Sequence, residues 1–156
     1  MKNTPFIWFD RDMEEAMRFY VSIFDDARID LLNDQPMPPG TPPEHRVRFG
    51  AFTLLGQQYL ALQAPTDEAL NHRFSIMVTC DTQAEIDRLW KALGEGGTYE
   101  QCGWLRDRWG LSWQIAPRQL FELMQHEDLS VVARVGQAMM GMVKLDIAAL
   151  EAAARD

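Results

Sequence analysis
Apolar and polar positions change their period several times along this chain, and each change marks an element. Phe6-Ile7-Trp8-Phe9 is an unbroken apolar run, short and aromatic, and predicts a strand. Asp12 is placed to cap the helix that follows. There Met13, Met17, Phe19, Tyr20 and Phe24 return at helical spacing on one side, through about Ile23. Arg28 to Leu32 reads as a second strand. Asn33 to Glu44 holds five prolines and a glycine, a density that forbids a helix or a central strand and leaves a loop. Arg46 to Leu55 and Gln58 to Gln63 predict two strands joined tightly at Gly56-Gln57, a hairpin signal.

The order then recurs. Phe74 to Cys80 predicts a strand, and Asp81 or Thr82 caps a helix whose Ile86, Leu89, Trp90 and Leu93 share one face. Gly94 to Gly97 stops that helix by supplying residues that tolerate positive φ. Thr98 to Gln101, Trp104 to Asp107 and Leu111 to Ala116 follow as short strands, with a turn at Trp109-Gly110. Both halves therefore read β-α-β-β-β, offset by about 68 residues from Phe6 to Phe74. Past Pro117 the pattern is helical over Arg118 to Gln125, Ser130 to Met142 and Asp146 to Ala154. With Met139, Met140 and Met142 in the middle helix, this segment is expected to pack on a second subunit or to close a cavity mouth.

Length and charge narrow the picture. A chain of 156 residues with 47% hydrophobic and 24% charged residues buries a real core and needs no disulfide or metal to fold. Fifteen basic against 23 acidic residues give a net charge of −8, which excludes a nucleic-acid binder working by phosphate neutralisation. The same charge argues against an anionic membrane surface. No apolar run reaches the roughly 18 residues of a membrane span. The first residues meet Asp10 and Asp12 too soon to supply a signal-peptide core, so a cytoplasmic location is expected. Cys80 and Cys102 lack a CxxC or Cys/His partner at metal spacing and are expected to be free thiols.

Several stretches together carry a family likeness: Pro5-Phe6-Ile7-Trp8-Phe9, Glu14-Glu15-Ala16 with Phe19-Tyr20, and Gln83 to Trp90. The most specific is Gln101-Cys102-Gly103-Trp104-Leu105 running to Gly110-Leu111-Ser112-Trp113-Gln114, and Lys144 to Ala148 also fits. On these residues the chain resembles the vicinal oxygen chelate superfamily of glyoxalases, bleomycin resistance proteins and extradiol dioxygenases, and more narrowly its PhnB-like branch. The resemblance implies an α+β fold in which tandem βαβββ modules form a curled mixed sheet around a shared cavity, here with extra C-terminal helices. One domain would span residues 1–156, with modules at about 4–66 and 70–117 and a helical extension over 118–156. A homodimer is implied as well. Sequences of this branch often carry the label 3-demethylubiquinone methyltransferase. A methyltransferase of the usual kind needs a glycine-rich turn after its first strand. Here that strand ends at Phe9-Asp10-Arg11, and Gly94-Glu95-Gly96-Gly97 follows a helix instead of opening one.

Metal-dependent members of the superfamily hold a divalent ion through His and Glu side chains from four strands. Counting from Asp12 and Phe19-Tyr20 puts the first such position on Pro5; the others fall near Ser75, on Gln114 and at best on Gln63. Neutral groups of this kind do not anchor a cation, so no metal and no cofactor are expected. His45, His72 and His126 fall in or beside loops and are expected to be solvated. Strand alternation places Pro5, Ile7 and Phe9 on one face, Ser75, Met77 and Thr79 on another, and Ser112 with Gln114 on a third. Counting outward from the ligand positions, the cavity-lining candidates are Pro5, Ile7, Gln63, Ser75, Met77, Cys102, Trp104 and Gln114. Cys102 has no histidine near it in sequence to lower its pKa and reads as a structural thiol. Arg48, Arg106 and Arg108 could bind a carboxylate at the rim, but parity does not place them. The expected function is binding of a small, largely apolar organic molecule in a metal-free cavity. Two alternatives stay open: an enzyme of the superfamily with an atypical or absent metal site, and a dimeric scaffold whose cavity its own side chains fill.

Overall fold
Each half of the chain forms a helix-backed, four-stranded mixed sheet, as seen in a computed structural model that describes residues 1, 3–42 and 45–155. The chain divides into two units, Met1–Ala69 and Leu70–Asp156. In the first, β1 (Phe6–Phe9), α1 (Met13–Ile23), β2 (Arg28–Asp34), β3 (Arg48–Leu54) and β4 (Gln57–Gln63) give the strand order β1-β4-β3-β2. β1 runs parallel to β4, and the other pairs are antiparallel.

Alternation sorts this sheet into two faces. Ile7, Phe9, Phe52 and Ala61 are buried on the α1 side, together with Met13, Ala16, Met17 and Tyr20 of the helix. Each such large side chain contributes about 1.5–3 kcal/mol of burial. Phe6, Trp8 and Leu31 are 51%, 47% and 42% exposed. Asp12 does not cap α1 with its side chain; it adopts a left-handed conformation at φ 55°. The amide of Met13 donates instead to Gln63 Oε1 at 3.1 Å, so an acceptor from β4 serves the helix end. The hairpin turn falls one residue earlier than expected, on Leu55-Gly56. Their φ values of 48° and 81° match the two left-handed positions of a type I′ turn.

The second unit repeats the topology. β5 (Ser75–Cys80), α2 (Gln83–Gly94), β6 (Thr98–Tyr99), β7 (Trp104–Arg106) and β8 (Ser112–Pro117) form the order β5-β8-β7-β6, with β5 parallel to β8. Thr82 caps α2 in a complete capping box: its side chain accepts from Glu85 N, while Glu85 Oε2 accepts from the amides of Asp81 and Thr82. α2 packs on β5, β7 and β8, burying Ile86, Leu89, Trp90 and Leu93.

Three further helices follow, α3 (Arg118–Met124), α4 (Leu129–Met140) and α5 (Ile147–Arg155). They share a core of Ala116, Leu120, Val131, Val135, Leu145 and Leu150. The strap between α4 and α5 is fastened to its own unit: Met142 and Val143 carbonyls accept from Cys102 and Gly103 amides, both at 2.8 Å. Gln83 brackets the strap, donating to the Leu145 carbonyl and accepting from the Ile147 amide. Gly103 sits at φ 81°, and a Cβ there would stand 2.7 Å from the Ile115 carbonyl oxygen, so only glycine lets the strap close on this turn. The architecture is α+β, two open mixed sheets with the C-terminal helices that the sequence predicts.

Candidate functional site
The face of the second sheet turned away from α2 gathers the sequence-predicted residues best. In register, Ser75 pairs with Ser112 and Ser112 with Arg106, forming one row across β5, β8 and β7. The next row is Met77, Gln114 and Trp104. Cross-strand partners share a face, so both rows look the same way. Gln114 Nε2 donates to Ser75 Oγ at 2.8 Å, linking the rows. Met77 is 45% exposed, whereas Ile76 and Val78 on the α2 side are buried.

Around these rows lies a charged rim that sequence reasoning left unplaced. His72 stacks on Trp104, with ring centroids 6.0 Å apart, and its Nε2 lies 2.6 Å from Glu100 Oε2. Arg106 Nε donates to the other Glu100 oxygen at 2.8 Å. Burial alone would push the Glu100 carboxyl up, but the hydrogen bonds from His72 and Arg106 outweigh it and hold the group below its usual range. His72 is thus engaged with an aromatic ring and a carboxylate, where a purely solvated loop residue was expected. Stepping by two from Trp104 along β7 is the signal that finds Arg106. No local signal finds Glu100 or His72, which arrive from loops.

Pro5, Ile7 and Gln63 are elsewhere. Ile7 is 2% exposed in the first unit's core. Pro5 precedes β1 by one residue and so shares Ile7's parity, and Gln63 is tied to the start of α1. Gln63 instead borders a shallow depression of about 420 Å³ with Asp12, Glu14, Glu15, Arg18 and Arg48. Its charges compensate one another: Arg18 and Arg48 both bond Glu14, at 2.7 and 2.9 Å, and Arg48 also bonds Asp34 at 2.5 Å. Arg18 first, then Arg48, holds the Glu14 carboxyl below its ordinary value. Cys102 lies in the turn before β7, its amide given to the strap, and both cysteines are free. Burial pushes the Cys80 thiol up to about 11, which leaves it inert at neutral pH.

The divalent ion of the metal-dependent superfamily members does not fit these residues. Of the four counted positions, Pro5 has no side-chain ligand atom and Gln63 Oε1 is committed to a backbone amide, which leaves only the neutral Ser75 and Gln114. Among the described residues no group of three or more His, Cys, Asp or Glu side chains could hold a metal ion. A nucleotide-type methyl-donor site fits no better, since the connection from β1 to α1 is Asp10-Arg11-Asp12 without a glycine. Among the described residues no helix is long and apolar enough to cross a membrane.

Comparison with known proteins bears on the whole arrangement. A family model described as 3-demethylubiquinone-9 3-methyltransferase matches residues 1–116. The PhnB protein from Bacillus cereus is 29% identical, with a TM-score of 0.67 over 75% of this chain and 99% of its own. Protein PA1353 from Pseudomonas aeruginosa has a TM-score of 0.64 at 19% identity, over 75% of this chain and 97% of its own. The fosfomycin resistance protein FosX from Mesorhizobium loti has one of 0.55 at 18% identity, over 81% and 98% respectively. These last two share the fold alone. No curated protein matches. The family match ends at residue 116, one residue before the end of β8, so α3 to α5 lie outside it. The sheet order, the family match and the PhnB likeness agree: the chain belongs to the 3-demethylubiquinone-9 3-methyltransferase family, the PhnB-like branch of the vicinal oxygen chelate superfamily.

Proposed function
We propose that this protein binds a small organic molecule with an apolar, planar body on the open face of its second sheet. The observation that carries the reading is the Met77–Gln114–Trp104 row, an apolar platform with one neutral amide at its centre, on the face that α2 leaves uncovered. A half-exposed methionine and a tryptophan suit a flat ligand, because both adapt to aromatic surfaces. Gln114 and Ser75 add directed hydrogen bonds for orientation. Metal-assisted chemistry is not part of the reading, because the donor set around these residues does not suit a cation. A cytoplasmic homodimer, which branch membership suggests, completes the proposal; sedimentation velocity showing monomer alone at micromolar concentration would remove that part.

Binding is tested by heteronuclear NMR titration with 2-naphthol, 2-naphthamide and 2-naphthoate. Ligand on the platform shifts the Trp104 indole resonance, assigned through Trp104→Leu. That variant should lose about two- to twelvefold in affinity, given about 0.5–1.5 kcal/mol for a stacked aromatic contact. If none of the three compounds moves the Trp104 signal at millimolar concentration, the binding reading falls.

A further inference from the structure
The row beside the platform carries hydrogen-bond donors left without an acceptor. Ser112 is fully buried, and its Oγ has no hydrogen-bond partner among the described residues. Such a group costs about 1–3 kcal/mol if it stays unmet. Its cross-strand neighbours on the same face are Ser75 and Arg106. Ser75 Oγ already accepts from Gln114, which leaves its own hydrogen to donate. Arg106 gives Nε to Glu100, and its terminal nitrogens bond none of the described residues. Two hydroxyls and a guanidinium edge thus converge in one row, and every one of them seeks an acceptor.

The charge balance says which acceptor. Glu100 sits on the Nε edge of Arg106 and offsets its charge, so the Arg106–Glu100 pair is near neutral. A group with two charges would meet repulsion from Glu100 beyond what one guanidinium returns. A carboxylate carries one charge, presents acceptors only and matches the guanidinium edge with two parallel bonds. We infer that the ligand of this site is a planar organic acid, its carboxylate held by Arg106, Ser112 and Ser75 and its body lying on Trp104 and Met77. The inference rests on the proposed binding reading and adds the head group.

The experiment compares 2-naphthoate with 2-naphthamide, equal in shape and different in charge, by calorimetry at pH 7 and low salt. The carboxylate should bind at least tenfold more tightly to the unaltered protein. Ser112→Ala and Arg106→Gln should each weaken 2-naphthoate at least fivefold while leaving 2-naphthamide within twofold. Ser112→Ala removes only a hydroxyl that serves nothing in the free protein, so it keeps the test valid if Arg106→Gln disturbs the Glu100 pair. Equal affinities for the two compounds would overturn the carboxylate assignment and leave the binding reading intact. Equal losses for both compounds in both variants would also overturn it, as would binding of 2-naphthamide without 2-naphthoate, and failure of both compounds to bind would remove both conclusions.

Discussion

Asp107 is the most exacting test of how this fold sets its site. The residue is 4% exposed in the connection between β7 and β8. Its Oδ1 accepts from the amides of Trp109 and Leu111 at 2.9 and 3.0 Å, and its Oδ2 accepts from Trp113 Nε1 at 2.8 Å. Its backbone pairs with Leu111 and Gly110 as well. One carboxylate therefore shapes the turn and anchors the largest fully buried side chain. Asp107→Asn keeps the shape but can present its oxygen either to the two amides or to the indole, so one donor then faces the new amide N–H₂. Losing one charge-assisted bond of about 1.5–3 kcal/mol predicts a destabilisation of about 2–3 kcal/mol. Asp107→Ala strands two buried donors, Leu111 N and Trp113 Nε1, and should cost about 3–5 kcal/mol. Urea unfolding followed by far-ultraviolet circular dichroism measures both, and at about 2–4 °C per kcal/mol the asparagine variant should melt about 4–12 °C lower. An asparagine variant within about 0.5 kcal/mol of the parent, or an alanine variant more stable than the asparagine one, would refute the reasoning.

Other outcomes follow from the same logic. Leu55→Asn should raise stability by about 0.5–1 kcal/mol, because an exposed leucine at φ 48° strains a turn that asparagine tolerates; an unchanged melting temperature would contradict the type I′ assignment. Gly103→Ala should cost about 2–4 kcal/mol from positive φ plus the clash with the Ile115 carbonyl, measured by urea unfolding. Thr82→Ala should lose about 1 kcal/mol through the capping box. Glu85 has a pKa held below its usual value by the amides of Thr82 and Asp81, so its contribution is complete above the unfolded carboxylate pKa and disappears as pH falls through the folded one. The stability difference between the parent and Glu85→Ala should therefore be constant from pH 8 to 6 and shrink on acidification below about pH 4.

The repeat was legible because period carries it: 3.6 in α1 and α2, 2 in the strands, glycine or proline between them. The candidate face was half legible, and a single residue explains why. Pro5 and Ser75 both stand seven positions before the helix caps Asp12 and Thr82. Yet Ser75 lies on the open face and Pro5 has the parity of buried Ile7. Buried Phe9 is three residues before its cap, and buried Cys80 is two before its own. The left-handed Asp12 accommodates the longer connection, and a shift of one residue reverses every side chain of a strand. The open-face counterparts in the first unit are therefore Phe6 and Trp8, which a fixed count from the cap passes over. Glu100 and His72 were beyond reach for another reason, since their pairing joins two loops 28 positions apart without any periodic signal.

The two units now differ in a way that bears on chemistry. Phe6 and Trp8 on the open face of the first sheet offer no ionisable group, whereas the second sheet places a guanidinium beside the very positions that a metal count selects, Ser75 and Gln114. A cation would meet the Arg106 guanidinium and, at Ser75 and Gln114, only neutral hydroxyl and amide oxygens, which do not anchor it alone. An anion meets the reverse: donors without acceptors, one positive edge left over from the Glu100 pair, and an aromatic wall in the adjoining row. On this face the electrostatic sense of a metal centre is inverted, from a cation gathered by carboxylates to a carboxylate gathered by donors. A chain can keep the sheet order of its superfamily and still take a ligand of different chemistry, because the strands fix only where side chains point. The residue types at those points decide what they hold.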